Sequence, residues 1–184
     1  MQQYQDLIER CIAGESKSQR ELYDLLKGRL MGICIRYNRA QEDAHDVFQE
    51  AMIRLFKNME QAAMVDSFEA WVRRITTNAA IDAYKKRKAH LHVSMDNEQV
   101  PDFADAEVNA FERLKAEEII DLLHEIPDNQ RIVFNLFVID GYSHKEIAVK
   151  LEIAESTSRV LLTRSKRSMI ELLKKTETHE QRYG

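Results

Sequence analysis

The sequence is poor in residues that break helices and lacks the long apolar runs that cross membranes. Its 184 residues include five glycines and two prolines, both below the average usage of globular proteins. No apolar run approaches the roughly 20 residues that span a bilayer, and the amino terminus lacks the basic and apolar regions of a secretory signal. These absences argue against membrane insertion and secretion, and they favour a soluble, cytoplasmic, mostly helical protein.

Cysteine is also scarce, and the histidines show no metal-binding spacing. Cys11 and Cys34 form no CxxC pair, so we interpret them as reduced, packed thiols. There is no HExxH motif and no glycine-rich phosphate loop. We therefore predict no metal, no cofactor and no catalytic residue, and an enzyme has little support. The histidines are His45, His90, His92, His124, His144 and His179.

The charges of the chain are segregated, although the net charge of −4 does not by itself indicate a nucleic-acid-binding protein. Residues 71–90 carry six basic side chains and one acidic side chain, whereas residues 93–121 carry nine acidic and two basic ones. Positive charge returns in 159–175. Because a charged patch acts within about 8–10 Å, its local balance matters more than the total. Any one of these runs, taken alone, is explained by a solvated helix face.

Apolar residues recur with the helical period in four windows, and a polar, acidic segment containing Pro101 separates the third window from the fourth. The windows are residues 22–37, 44–59, 68–79 and 111–122. The pattern predicts an all-α fold of two small helical domains joined by a linker. The predicted parts are an amino-terminal domain over 1–89, a linker over 90–107, a carboxy-terminal domain over 108–176 and a tail over 177–184.

The carboxy-terminal part has the pattern of a helix-turn-helix. A helix that opens at Pro127 is predicted to stop at Gly141, and Ser143 with Glu146 forms a capping box that begins a short helix. A longer helix is predicted over about 155–174. A helical hairpin with no DNA role is the alternative interpretation of this pattern.

In a helix-turn-helix the second helix lies in the major groove of DNA. Glu152 stands where the turn often has glycine, at a cost of about 1 kcal/mol if the backbone is left-handed there. Ser158 occupies a core position where a branched aliphatic residue is expected. Polar and basic side chains on this helix can contact bases or phosphates. The predicted contacts are Ser156, Thr157, Arg159, Val160, Thr163, Arg164 and Arg167.

A second candidate surface lies on the helix predicted over 68–88. Arg74, Asn78, Asp82 and Lys85 share one side of it by their spacing, opposite the apolar residues, and the helix ends in KKRK. An amide and a basic end could track a nucleic-acid strand, with Asn78 at a base edge and the cations on phosphates. A solvated surface is the alternative. We predict that Trp71 belongs to the core rather than to a stacking platform.

Three segments in order make the chain resemble the extracytoplasmic-function (ECF) sigma factors of bacterial RNA polymerase. They are EDAHDVFQEAMIRLFKNM at 42–59, SFEAWVRRITTNAAIDAYKKRK at 67–88 and IPDNQRIVFNLFVIDGYSHKEIA at 126–148. The resemblance implies a sigma-2-like domain, a sigma-4-like domain and a variable linker. It implies a non-enzymatic subunit that binds core RNA polymerase and directs promoter recognition and initiation of transcription.

The resemblance also implies a role for each segment. The D-A-x-D-x-x-Q-E pattern matches the helix that docks the clamp of the polymerase largest subunit, here Asp43, Asp46, Gln49 and Glu50. The second segment matches the helix that binds the unpaired −10 strand, here Arg74, Asn78, Asp82, Lys85, Lys86, Arg87 and Lys88. A loop over about 60–67 would hold a flipped base. The third matches the domain that reads the −35 duplex and contacts the flap of the second-largest subunit. An anti-sigma factor is a further implied partner.

The recognition helix departs from the family pattern, which usually reads G-T-V-K-S-R at its start. Here Arg159 keeps the first basic position, whereas Leu161 replaces the later arginine. A stand-alone helix-turn-helix regulator that never contacts polymerase is the main alternative, but it leaves the patterns at 43–50 and 71–82 unused. A purely structural helical adaptor is another, since any bundle needs amphipathic helices.

Overall fold

The structure, a computed structural model, describes residues 2–90 and 116–183, and every regular element in those ranges is a helix. The prediction of an all-α protein with two helical domains is confirmed. The chain divides after His90 into two compact units. The predicted linker and the first part of the fourth apolar window lie outside the described residues, except that His90 ends a helix. The predicted domain boundaries therefore stay predictions.

Five helices make up the first unit. They are α1 (Gln2–Ile12), α2 (Ser16–Tyr37), α3 (Gln41–Lys57), the single turn α4 (Met59–Ala62) and α5 (Phe68–His90). Helices α2, α3 and α5 pack against one another, and α1 contacts α2 and α4. The helices pack in this way because each apolar stripe is removed from water only when another helix covers it.

The apolar stripes predicted for this unit form its core. Every member of the first stripe, from Leu22 to Tyr37, is buried, and so is every member of the second, from Ala44 to Met59. Trp71 is 4% exposed, so its assignment to the core is confirmed. Burying a large apolar side chain contributes about 1.5–3 kcal/mol relative to leaving it exposed, and these stripes thus hold α2, α3 and α5 together.

The start of α5 is fixed by contacts from two other helices. The Tyr4 hydroxyl donates to Glu69 over 3.1 Å, and Arg29 pairs with the same carboxylate at 2.7 Å. These contacts lower the pKa of Glu69, with Arg29 as the main cause. The Phe68 ring lies 5.1 Å from the Tyr4 ring. Together they attach α1 and α2 to the end of α5 that follows the 63–67 loop.

The second unit contains α6 (Ala116–Glu125), α7 (Asp128–Phe134), a π-helical turn (Asn135–Ile139), α8 (His144–Leu151) and α9 (Glu155–Tyr183). Helix α9 packs against α6, α7 and α8. Its buried side chains include Leu161, Leu162, Met169 and Ile170.

Two features of this unit differ from the sequence prediction. The helix that begins after Pro127 ends as a π turn, in which the Asp140 amide donates to the Asn135 carbonyl at 2.9 Å. The last helix runs to Tyr183 rather than to about Lys174, so most of the predicted tail is helical. The reason for the longer helix is that no glycine or proline interrupts the sequence before Gly184.

Candidate nucleic-acid and partner interfaces

The predicted docking residues lie on the side of α3 that faces away from the core. Asp46, Gln49 and Glu50 are exposed and Asp43 is half-buried. They share this side because residues three and four apart lie on one helix face. The structure therefore brings the four predicted residues to one accessible helix surface, which carries three carboxylates and one amide.

The predicted strand-binding residues follow α5 along its partly exposed side. Arg74 and Lys86 are exposed, whereas Asn78, Asp82, Lys85, Arg87 and Lys88 are half-buried. Phe68, Trp71 and Val72, in the first turns of the helix, are buried, although the expected core residue Ile75 is half-exposed. The seven residues thus lie at accessible positions along α5, with Arg74 near its start and the other four cations in its last two turns.

Ion pairs join these two surfaces. The Arg54 guanidinium, on α3, contacts Glu50 at 2.7 Å and Asp82 of α5 at 2.6 Å. The hydrogen bonds to Asp82 and Glu50 raise the pKa of Arg54. Farther along, Arg87 of α5 pairs with Asp43 of α3 at 3.7 Å. Four predicted interface residues, two from each surface, are therefore held in contacts between or along these helices.

Arg54 is not among the residues that the sequence predicted for either surface. Its spacing of four from Glu50 indicates an ion pair along α3, but nothing in the sequence links it to Asp82, which follows 28 positions later. The Asp82 carboxylate accepts a hydrogen bond from Arg54. The prediction that it contacts DNA stays a prediction.

The capping box and the turn of the helix-turn-helix form as predicted. The Ser143 hydroxyl accepts from the Glu146 amide, and the Glu146 carboxylate accepts from the Ser143 amide at 2.8 Å. Glu152 adopts the left-handed conformation, with φ of 56° and ψ of 48°. Helix α8 therefore begins with two capping hydrogen bonds and ends at a residue with a strained backbone, at the position where glycine is usually found.

The contact between α8 and α9 explains the unusual serine in the core. Ser158 is fully buried, and its hydroxyl lies 2.9 Å from Nδ1 of His144, the first residue of α8. The His144 ring stacks on Phe137 with 4.3 Å between ring centroids. Burial and the nearby Arg159 lower the pKa of His144. A polar bond thus replaces the apolar contact expected at this position.

The predicted recognition residues lie on the outer side of α9, opposite its buried stripe. Ser156, Arg159 and Arg167 are exposed, and Thr157, Val160, Thr163 and Arg164 are half-buried. Leu161, which stands in place of the family's arginine, is buried. The departure from the family pattern therefore adds to the core and removes no side chain from this outer surface.

Two of the recognition arginines pair with carboxylates of their own helix. Arg159 contacts Glu155 at 2.6 Å, and Arg167 contacts Glu171 at 2.9 Å. All four side chains are well exposed, so each pair contributes little, typically about 0.2–1 kcal/mol. A phosphate or a guanine edge offers a charge-assisted or bidentate contact of equal or greater strength. These weak pairs leave both arginines accessible at the surface of α9.

Residues 2–90 and 116–183 contain no group of three or more histidine, cysteine or acidic side chains that could hold a metal ion. Their helices also include none that is both long and apolar enough to cross a bilayer.

Two family models match the chain. Sigma-70 region 2 matches residues 22–90, and sigma-70 region 4 matches residues 116–169. The two matches cover about two thirds of the chain and correspond to its two compact units. The first match contains α3 and α5, and the second contains the helix-turn-helix.

Two curated relatives match along most of their own length. The chain is 25% identical over 172 residues to the ECF RNA polymerase sigma factor SigW of Bacillus subtilis, covering 88% of this chain and 92% of the relative. It is 25% identical over 177 residues to the ECF RNA polymerase sigma-E factor of Haemophilus influenzae, covering 91% and 93%. The fold resembles that of the sigma factor RpoE from Bartonella quintana, solved with the anti-sigma factor NepR. That match has a TM-score of 0.50 and 18% identity, and covers 84% of this chain and 96% of that one.

The chain therefore belongs to the sigma-70 family, as one of its ECF sigma factors. Its function is that of a sigma factor, which binds core RNA polymerase and directs transcription initiation at promoters. A stand-alone regulator would account for the region 4 match. It is not favoured, because it leaves the region 2 match without a role.

Proposed function

We propose that this sigma factor uses three helices for three separate contacts in transcription initiation. Helix α3 docks the clamp of the polymerase largest subunit, α5 holds the unpaired −10 strand, and α9 reads the −35 duplex. The observation that carries the proposal is that region 2 and region 4 occur in order on one chain, with their candidate residues on exposed helix surfaces. We further propose that the protein is cytoplasmic and non-enzymatic.

The docking proposal depends on charge. Asp43, Asp46 and Glu50 give α3 an acidic outer surface, which suits a basic partner such as a polymerase clamp. The second unit would contact the flap of the second-largest subunit. Binding energy from these contacts would offset part of the cost of separating the promoter strands.

The strand-binding proposal depends on the amide and cations of α5. Asn78 can donate to and accept from an exposed base edge, and Arg74, Lys85, Lys86, Arg87 and Lys88 can neutralise strand phosphates. Unpaired bases present edges and faces that are hidden in duplex DNA. The segment over 60–67, predicted as a loop, begins within α4 and continues as the 63–67 loop, and it would receive a flipped base. Because the net charge is −4, we expect promoter binding to require the polymerase complex.

The duplex-reading proposal depends on α9. Arg159 can contact a guanine or a phosphate, Val160 can contact a thymine methyl group, and Arg164 and Arg167 can hold the backbone. Ser156, Thr157 and Thr163 supply hydroxyl groups on the same side. We also propose an anti-sigma partner, because a sigma factor of the same fold was solved in complex with the anti-sigma factor NepR.

Promoter-dependent transcription with purified core polymerase tests the proposal. The wild-type chain should enable core to initiate RNA synthesis, and it should protect promoter DNA only when core is present. A protein that protects duplex DNA without core and does not bind core would instead be a stand-alone regulator.

Two alanine variants separate the DNA contacts. Asn78→Ala should slow promoter opening about tenfold or more, the range for one base contact, with core affinity nearly unchanged. Gln5→Ala, which removes an exposed amide from α1, is its control. Arg159→Ala should weaken −35 binding by a similar factor, whereas Lys175→Ala on the same helix, about 24 Å away by helical rise, should not. Unchanged promoter binding by Arg159→Ala would remove α9 from the proposed contact.

A further inference from the structure

The carboxylates proposed to dock polymerase are already paired within the first unit. Asp43 contacts Arg87 of α5 at 3.7 Å. Glu50 shares the Arg54 guanidinium with Asp82 of α5, at 2.7 and 2.6 Å respectively. Asp46, by contrast, is exposed and makes no ion pair with any residue that the structure describes.

Each of these contacts joins one proposed interface to the other. The arginines are the less exposed partners, with 29% of the Arg87 side chain and 32% of the Arg54 side chain accessible. A basic group of a docking partner would compete with Arg87 for Asp43, and with Arg54 for Glu50. The displaced Arg87 belongs to α5, and the displaced Arg54, on α3, keeps its contact with Asp82 of α5.

We propose that the contacts Asp43–Arg87 and Glu50–Arg54–Asp82 couple polymerase docking on α3 to strand binding on α5, so that each strengthens the other. The inference rests on the proposed function, because it assigns no new partner. It identifies Arg54, which is not among the residues proposed to contact polymerase or DNA, as a positioning residue. It also gives Arg87 a second role beside its proposed phosphate contact.

In both contacts, docking on α3 is expected to favour strand binding on α5. When a partner cation takes Asp43, Arg87 loses its carboxylate and becomes available to a phosphate. When a partner cation takes Glu50, Arg54 pairs with Asp82 alone and neutralises a carboxylate that would repel the strand. Linkage then requires that strand binding favours docking by the same factor. Because the carboxylates are about half exposed, we expect each contact to contribute about two- to fivefold.

Core affinity measured without DNA tests the first contact. Arg87→Gln should release Asp43 and lower the dissociation constant for core about two- to fivefold relative to Lys86→Gln. Lys86 is the matched control because it is an exposed cation on the adjacent position of α5 with no pairing to a described residue. In an Asp43→Asn background the difference between the two variants should disappear.

A second double-mutant cycle tests the Glu50–Arg54–Asp82 contact, and here the variant should lower the affinity for core rather than raise it. In Asp82→Asn, Arg54 pairs with Glu50 alone and competes more strongly with a polymerase cation for it. The affinity for core should therefore fall by a similar factor. With Glu50→Gln also present, Asp82→Asn should have no further effect on core affinity. A general charge effect would persist in both backgrounds, and the cycle therefore distinguishes it from the specific contact.

The outcomes separate the coupling from the proposed function. Wild-type chain that binds core, with additive effects in both cycles, overturns the coupling alone. Wild-type chain that does not bind core overturns the proposed function and the coupling with it. Trp71 fluorescence during thermal unfolding verifies that each variant folds, because this tryptophan is buried in the core of the same unit.

Discussion

The contact between His144 and Ser158 predicts that a single side chain holds the recognition helix in place. His144→Ala removes the 2.9 Å bond to the Ser158 hydroxyl and the stack on Phe137. A net hydrogen bond contributes about 0.5–1.5 kcal/mol, and an aromatic stack contributes a similar amount. We therefore expect the second unit to lose about 1–3 kcal/mol of unfolding free energy. In a domain of this size that loss lowers the melting temperature by about 5–15 °C.

The two units carry different spectroscopic reporters, which makes the assay specific. The one tryptophan of the chain, Trp71, lies in the first unit, whereas circular dichroism follows the helices of both. His144→Ala should move part of the circular dichroism transition to lower temperature and leave the fluorescence transition where it is. Ser158→Ala, which keeps the stack on Phe137, should give roughly half of the shift.

The effect of His144 should also depend on pH. Its pKa is lowered by burial first and then by Arg159 and Lys166, while Glu155 acts in the opposite direction. The folded protein therefore disfavours the protonated ring. As the pH falls below the ordinary histidine pKa of about 6.5, the unfolded chain takes up the proton first and stability declines.

A comparison of wild type and His144→Ala between about pH 8 and about pH 5.5 isolates this effect. The wild type should lose stability over this range, and its advantage over the variant should shrink. The capping carboxylate Glu146 has a lowered pKa, so its contribution is lost at pH values below the usual carboxylate range and does not interfere. A variant that melts with the wild type at every pH, or that shifts the tryptophan transition equally, would refute the assigned role of the contact.

Three further predictions concern strain, packing and thiol reactivity. Glu152→Gly should raise the unfolding free energy of the second unit, measured in urea, by about 0.5–1 kcal/mol, because glycine adopts positive φ without strain. Gly141→Ala should lower it by about 1 kcal/mol, because Gly141 has a φ of 77° and the cost is backbone strain alone, with no neighbour within 4 Å of an added Cβ. Leu30→Ala should cost the first unit about 2–5 kcal/mol, seen as an earlier Trp71 transition, and an unchanged transition would contradict the packing. Burial raises the pKa of the Cys34 thiol to about 12, so iodoacetamide at mildly alkaline pH should label Cys34 after unfolding and leave it unmodified in the native protein.

Local sequence patterns were sufficient for most of the helical architecture. The stripe from Leu22 to Tyr37 predicts a buried helix face because its spacing follows the helical period. Ser143 and Glu146 predict a capped helix start because both partners lie within one turn. The sequence also indicates the unfavourable turn at Glu152, because the turn of a helix-turn-helix often has glycine at this position, and Glu152 is left-handed in the structure.

The predicted interfaces were partly decided by sequence. The spacing of Asp46, Gln49 and Glu50 places them on one side of α3 without any knowledge of the tertiary structure. Which of these carboxylates are already paired could not be predicted, because the partners Arg87 and Asp82 come from another helix. The π turn after Phe134 and the continuation of α9 to Tyr183 also differ from the prediction.

By itself the sequence determined most of the helices, most of their buried faces and the capping box of α8, because each of these depends on residues within a few turns of one another. The tertiary structure alone decided that Arg54 lies between Glu50 and Asp82, and that His144 reaches the buried Ser158. The physical reason is that such contacts need the exact separation and rotation of two packed helices. Many side chains distributed along the chain set that geometry together, so no short pattern encodes it.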